Sequence, residues 1–159
     1  MNIIGTIHVA LAVTAMLSGL VVLLRRKGDR RHRQMGWVYG ASMLGLNGTA
    51  LMLYRLFGRF GPFHLAALVS LLTVIGGLAS ARFHKPKGGW VRAHAYWMTW
   101  SYVGLLAAAA SEASTRLPDS PFWGMVFVAT FAVIGAGAVM IKRGVPRALQ
   151  RFTKRPATT

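Results

Sequence analysis

The sequence predicts an all-α fold, a polytopic membrane helix bundle with five transmembrane helices. Three observations carry this prediction. Only 14% of the residues are charged, well below the roughly 25% of soluble proteins. Long apolar runs recur, and each is long enough to cross a hydrocarbon core of about 30 Å as a helix. Basic residues, 19 Lys and Arg against three acidic residues, gather between the runs, as in loops held against an anionic lipid surface.

The predicted helices follow these runs in order. The first is interrupted only by His8 and ends at a basic loop; no basic segment precedes it, so we interpret it as a span rather than a cleaved signal peptide. Gly61-Pro62 marks the start of the third helix. The five predicted helices are Ile3–Leu24, Gly36–Tyr54, Phe63–Ala81, Trp90–Ser114 and Phe122–Ile141. We expect two domains: a transmembrane domain over residues 1–142 and a basic cytoplasmic tail over 143–159 that lies on the membrane or is disordered.

The distribution of Lys and Arg predicts the orientation of the helices. The four loops and the tail carry six, two, four, one and six basic residues in chain order, where Arg92, in the first turn of the fourth helix, is counted with the third loop. Strongly basic segments therefore alternate with weakly basic ones. By the positive-inside rule the N-terminus lies outside and the C-terminus in the cytoplasm. The expected location is the cytoplasmic (inner) membrane of a bacterium, with anionic lipids as partners at the cytoplasmic face.

The first two helices resemble the third and fourth. His8 precedes Arg26 by 18 residues, and His64 precedes Arg82 by the same interval. Each pair leads into a basic loop that contains a histidine and ends in Gly-Trp-Val, at Gly36 and at Gly89. Two helical hairpins related by an axis along the membrane normal would explain this pattern, and would make His8 and His64 equivalent. The alternative is that basic loops and interfacial tryptophans recur in unrelated hairpins.

Polar residues near the predicted outer surface form the candidate site. Ionisable groups within spanning helices are costly and usually face a partner or a cavity. Three ligands fit this cluster: a divalent transition metal held by two histidines and a carboxylate, a b-type haem with two histidines as axial ligands and an arginine on a propionate, or an anionic or quinone ligand at the start of the third helix. The candidate metal ligands are His8, His64 and Glu112; the candidate cofactor-binding residues are His8, His64, Arg55, Arg59, Asn47 and Tyr54.

A structural alternative explains the same residues without a ligand. In it Glu112 pairs with Arg55, and each histidine bonds to nearby backbone. A second set, His32, His84 and His94, lies at the predicted inner side and forms a weaker candidate site.

One face of the fourth helix joins the two sides of the membrane. His94 and Glu112 are 18 residues apart, which is five helical turns and roughly 27 Å. This face could serve as a proton relay, which makes a proton-coupled small carrier one possible function. Small residues along several helices favour another, a non-catalytic accessory or scaffold subunit of a larger membrane complex or a homo-oligomer.

Other classes of function find no support in the sequence. Cysteine is absent, which excludes disulfides, thiolate ligands and a cysteine nucleophile. No phosphate-binding glycine loop, serine nucleophile elbow or zinc-protease motif occurs. No basic face with interleaved aromatics remains outside the loops, so we expect no nucleic acid as a partner.

Several runs of this sequence carry a family resemblance. They are His8 to Gly19, Lys27 to Arg33, Asn47 to Arg55, Gly58 to His64 with its Phe-Gly-Pro-Phe-His, and His94 through Tyr102 to Glu112. Over about Ile3 to Pro118 the chain resembles the bacterial membrane family catalogued as domain of unknown function 2306. The resemblance implies a small helical protein of the cytoplasmic membrane and no particular activity. Together with the paired histidines, the sequence predicts a metal or haem site near the outer face, in a redox or cofactor-handling role.

Overall fold

The computed structural model describes residues 3–53, 58–83, 89–116, 118 and 121–153, and for residues 152 and 153 the backbone alone. These residues form five helices, as the sequence predicts. They are α1 (Ile3–Leu24), α2 (Arg30–Met52), α3 (Pro62–Arg82), α4 (Gly89–Ser114) and α5 (Phe122–Thr153). Three of them, α1, α3 and the stretch Phe122–Arg151 of α5, are long and apolar enough to cross a membrane.

The start of α2 lies earlier than predicted. We expected the basic loop to extend to Gly36, yet the helix begins at Arg30. Asp29 is its N-cap, and the carboxylate accepts a hydrogen bond of 2.6 Å from the backbone N–H of His32. This cap satisfies one of the free amides of the first turn. Arginine is also a good helix former, so a charged segment following a capping residue can continue as helix.

The other end of this loop is held by a lysine. Lys27 Nζ donates hydrogen bonds of 2.7 Å to the carbonyls of Val22 and Leu23, which lie in the last turn of α1. A cation at this end also complements the helix dipole. Desolvation by burial lowers the pKa of the Lys27 ammonium from its usual 10.5.

The end of α5 lies later than predicted. We placed it at Ile141, before Lys142 and Pro146, whereas the helix continues to Thr153. Pro146 lies inside the helix, where it removes one backbone hydrogen bond. Ile141 and Val145 are buried in the same stretch. Residues 143–153, which the sequence assigns to a basic tail, are thus part of this helix.

The chain divides into two compact units, Met1–Ile75 and Gly76–Thr159. In the first unit α1 packs against α2. The buried side of α1 consists of small residues, Ala15, Ser18 and Gly19, and α2 buries residues at helical spacing, among them Tyr39, Met43 and Asn47. Small residues on facing helices let two backbones approach closely, which is how membrane helices associate.

In the second unit α4 packs against α5, and α3 contributes its last turns. Gly137 of α5 lies against Val103: a Cβ at this glycine would meet Val103 Cγ1 at 2.5 Å. Gly76 lies in the same way against the ring of Trp97, at 3.0 Å. A Cβ at Gly137 would therefore force the Val103 side chain to move, whereas a Cβ at Gly76 would require the Trp97 ring to shift by a few tenths of an ångström.

Candidate functional site

His8 of α1 makes the contact that defines the candidate site in the first unit. Its Nδ1 lies 2.9 Å from Oγ1 of Thr49 on α2, and both side chains are half-buried. The antiparallel packing of the two helices brings these residues to the same level. The sequence analysis did not select Thr49. Pairing the first helix with the second as an antiparallel hairpin would have placed it opposite His8.

The direction of this hydrogen bond follows from the other contacts of Thr49. Its hydroxyl lies 3.0 Å from the carbonyl of Gly45 and 2.9 Å from that of Leu46. The single hydroxyl proton is donated to these carbonyls, so the oxygen accepts from His8 Nδ1–H. A neutral His8 then carries its lone pair on Nε2. This is the arrangement that holds a ligating histidine in one tautomer and orientation.

His64 of α3 has the opposite arrangement. It is only 3% exposed, and its Nδ1 accepts a hydrogen bond of 3.1 Å from the backbone N–H of Gly61. Gly61 precedes Pro62, the first residue of α3. His64 therefore sits at the third helical position and bonds back to the N-cap amide, the role that Glu or Gln plays in a capping box. The ring of Phe60 lies beside it, with centroids 5.1 Å apart.

This geometry explains the run Phe-Gly-Pro-Phe-His, which contributes to the family resemblance, as the start of a helix. Gly58 has φ +63° and turns the chain before it. Gly61 and Pro62 occupy the N-cap and first helical positions, for which both residue types are suited. Because His64 Nδ1 accepts a hydrogen bond from the Gly61 amide, the neutral ring carries its hydrogen on Nε2. His8 and His64 thus differ in tautomer, and the hydrogen bonds do not treat them as equivalent.

The other predicted cofactor-binding residues are distributed as follows. Asn47 is buried on α2 at 4% exposure, and its Nδ2 donates 2.9 Å to the carbonyl of Met43. Arg59 is exposed, shortly before the start of α3. Tyr54 and Arg55 lie outside the described residues. Asn47 therefore contributes to the interior of the first unit, whereas Arg59 is open to a ligand or to lipid headgroups.

Glu112 belongs to the second unit, near the end of α4. Its Oε1 accepts a hydrogen bond of 2.8 Å from Arg116 Nη2, one helical turn further on. The two side chains are 53% and 71% exposed. Such an exposed pair contributes little to stability. The partner that the sequence suggested for this carboxylate, Arg55, is outside the described residues.

The predicted metal ligands belong to different units: His8 and His64 lie in the first and Glu112 in the second. As a three-ligand set they stay a prediction. Among the described residues, no group of three or more His, Asp or Glu side chains lies close enough to hold a metal ion.

Of the inner histidines, His94 has the clearest contact. Its Nδ1 donates 2.8 Å to the carbonyl of Gly77, within the second unit. His32 lies in the first turn of α2, and His84 is outside the described residues. Because His94 Nδ1 donates to the Gly77 carbonyl, a neutral His94, like His8, has its lone pair on Nε2. The backbone partner of His64 agrees with the structural alternative from the sequence, which was stated for His8 and His64.

Comparisons with known proteins identify one family to which this chain is similar. No curated protein and no solved structure matches the chain. A family model described as "Predicted membrane protein (DUF2306)" matches residues 5–149, a range that covers α2, α3 and α4 and most of α1 and α5. The chain belongs to this family of predicted membrane proteins.

Proposed function

We propose that this membrane protein binds a b-type haem through His8, in a redox or cofactor-handling role. One observation carries the proposal: His8 Nδ1 lies 2.9 Å from Thr49 Oγ1. Because the Thr49 hydroxyl donates to backbone carbonyls, Nδ1–H is the donor and the neutral imidazole carries its lone pair on Nε2. Histidines that ligate metals usually have their other nitrogen held in this way. The imidazole is also half-buried, as a ligand in a membrane helix must be to meet a cofactor.

A haem fits the described residues better than a bare divalent metal. A metal ion needs three or four protein ligands, and the described residues hold no such group. Haem brings four ring nitrogens and takes only one or two ligands from the protein. Exposed Arg59 is available to pair with a propionate.

The proposal gives His8 and His64 different roles. A second axial ligand would need a lone pair on His64 Nε2, but Nδ1 of that ring already accepts from the Gly61 amide. His64 thus serves α3 as a cap, and His8 is the single protein ligand to the iron. This changes the sequence prediction of two axial histidines to one.

The experiment is an absorption spectrum with metal analysis on the full-length protein, purified in detergent from cells supplied with haem. We expect a haem band at close to one haem per chain, and its loss in His8→Ala. Thr49→Val keeps the ligand but removes its orienting oxygen, so we expect haem affinity to fall about 10- to 100-fold. His64→Gln is the matched control and keeps its haem.

Two results would overturn this proposal. Wild-type protein without haem, prepared with haem in excess, would refute haem binding, and a stoichiometric metal in its place would favour the divalent site. Haem retained in His8→Ala but lost in His64→Gln would show that the iron ligand is His64 and not His8.

We also propose that all five helices span the inner membrane of a bacterium, with the N-terminus outside. Helices α2 and α4 have 23 and 26 residues, or about 34 and 39 Å, enough to cross. The alternation of basic and weakly basic loops supports the orientation. Reporter fusions after each helix test it. Phosphatase activity is expected after α2 and α4, and cytoplasmic fluorescence after α1, α3 and α5; the reverse pattern, or one missing alternation, contradicts it.

A further inference from the structure

The last turns of α5 form a basic stripe, which we define as Arg143, Arg147 and Arg151. All three are exposed, and their spacing of four residues places them on one helix face. The opposite face is buried. Gly137, Ile141 and Val145 repeat at the same spacing, and Gly137 touches Val103 of α4. At 100° per residue the stripe lies about 200° around the helix from this buried row.

The length of α5 places the stripe at the membrane surface. The helix has 32 residues and is about 48 Å long, against a hydrocarbon core of about 30 Å. Its first 20 residues, Phe122 to Ile141, contain no charged side chain and fill the core. The turns from Lys142 onward therefore emerge among the lipid headgroups.

The stripe has no counter-charge within the described part of the chain. The one ion pair recorded there joins Arg116 to Glu112, and the carboxylate of Asp29 caps α2. Like charges four residues apart destabilise a helix, and the stripe contains two such pairs. An anion that binds across the arginines removes this repulsion.

We propose that the basic stripe binds the headgroups of anionic phospholipids. Guanidinium groups bind phosphate oxygens in a bidentate manner. The residues between the arginines include no aromatic ring on which a nucleotide base could stack. This favours a lipid surface over nucleic acid. The inference rests on the proposed orientation only for the choice of leaflet, since binding itself is measured without reference to sidedness.

The test uses full-length protein in neutral detergent, titrated with short-chain phosphatidylglycerol or phosphatidylcholine, with bound lipid counted by native mass spectrometry. The triple variant Arg143→Gln, Arg147→Gln, Arg151→Gln is compared with a control of equal charge change, Arg25→Gln, Arg26→Gln, Arg30→Gln. At about fivefold per arginine, we expect the stripe variant to lose phosphatidylglycerol affinity about 100-fold. The control should lose less, because Arg25 and Arg26 follow α1 whereas Arg30 begins α2, so the three do not share one helix face. The single variant Arg147→Gln, with an expected loss of about fivefold, keeps the test decisive if the triple variant does not fold.

Three results would overturn the inference. They are equal losses in the two triple variants, equal wild-type affinity for both lipids, and displacement of phosphatidylglycerol by inorganic phosphate or by a single-stranded oligonucleotide at comparable concentration. Lysine in place of each stripe arginine keeps the charge but loses the bidentate contact, so we expect its affinity for phosphatidylglycerol to lie between those of wild type and of the glutamine variant.

Discussion

The role of His64 as a helix cap can be measured separately from its contact with the Phe60 ring. In His64→Ala the Gly61 amide loses its acceptor, which costs about 0.5–1.5 kcal/mol. The contact with the Phe60 ring, 5.1 Å between centroids, is lost as well, at about 0.5–1.5 kcal/mol. The expected total is about 1–3 kcal/mol. His64→Gln keeps an acceptor at the third helical position and loses only the ring, so it should cost about half as much.

The assay is SDS-induced unfolding in mixed micelles, followed by tryptophan fluorescence. We expect the free energy of unfolding to decrease from wild type to His64→Gln to His64→Ala. Phe60→Leu measures the cost of losing the ring contact alone, because Phe60 is exposed and its replacement leaves the cap intact. If His64→Ala is as stable as His64→Gln, the bond to the Gly61 amide contributes nothing and the capping argument is refuted.

Three further predictions use the same unfolding assay. Gly137→Ala should lower the free energy of unfolding by about 1–3 kcal/mol, because its Cβ would meet Val103 at 2.5 Å. Gly135→Ala, with open space around it, should leave the protein as stable as wild type or make it more stable. Equal effects of the two variants would contradict the close contact. Asp29→Ala should cost about 0.5–2 kcal/mol and Asp29→Asn much less, a ranking that a merely electrostatic role would not produce. The folded state holds the proton of Lys27 less tightly than the unfolded state does, because desolvation lowers the pKa of Lys27 from 10.5. The stability of wild type relative to Lys27→Met should therefore rise as the pH increases toward 10.5. A fall in this relative stability would refute the prediction.

The sequence could predict the helices because their causes are local. An apolar run of about 20 residues between charged segments has few alternatives to a membrane helix. Gly61-Pro62 marks the start of α3 by the same logic, since the two residues favour an N-cap and a first helical turn. The resemblance to the membrane family also rested on such short runs, and the family match supports it.

The helix ends were predicted less well because hydropathy reports the membrane and not the helix. Charge at Lys142 marks where the hydrocarbon ends, but the backbone stays helical to Thr153. Likewise α2 begins among arginines, because Asp29 caps it there. The solvent that surrounds a segment and the hydrogen bonding of its backbone are separate properties at these positions.

The sequence by itself determined that the chain is a helical membrane protein with histidines near helix ends. Only the tertiary structure decided what each histidine does. His8 donates to Thr49 on another helix, while His64 accepts from an amide three residues before it. The physical reason is that the tautomer of an imidazole depends on the partner of each nitrogen, and a partner 41 residues away in the chain is fixed by helix packing rather than by local sequence.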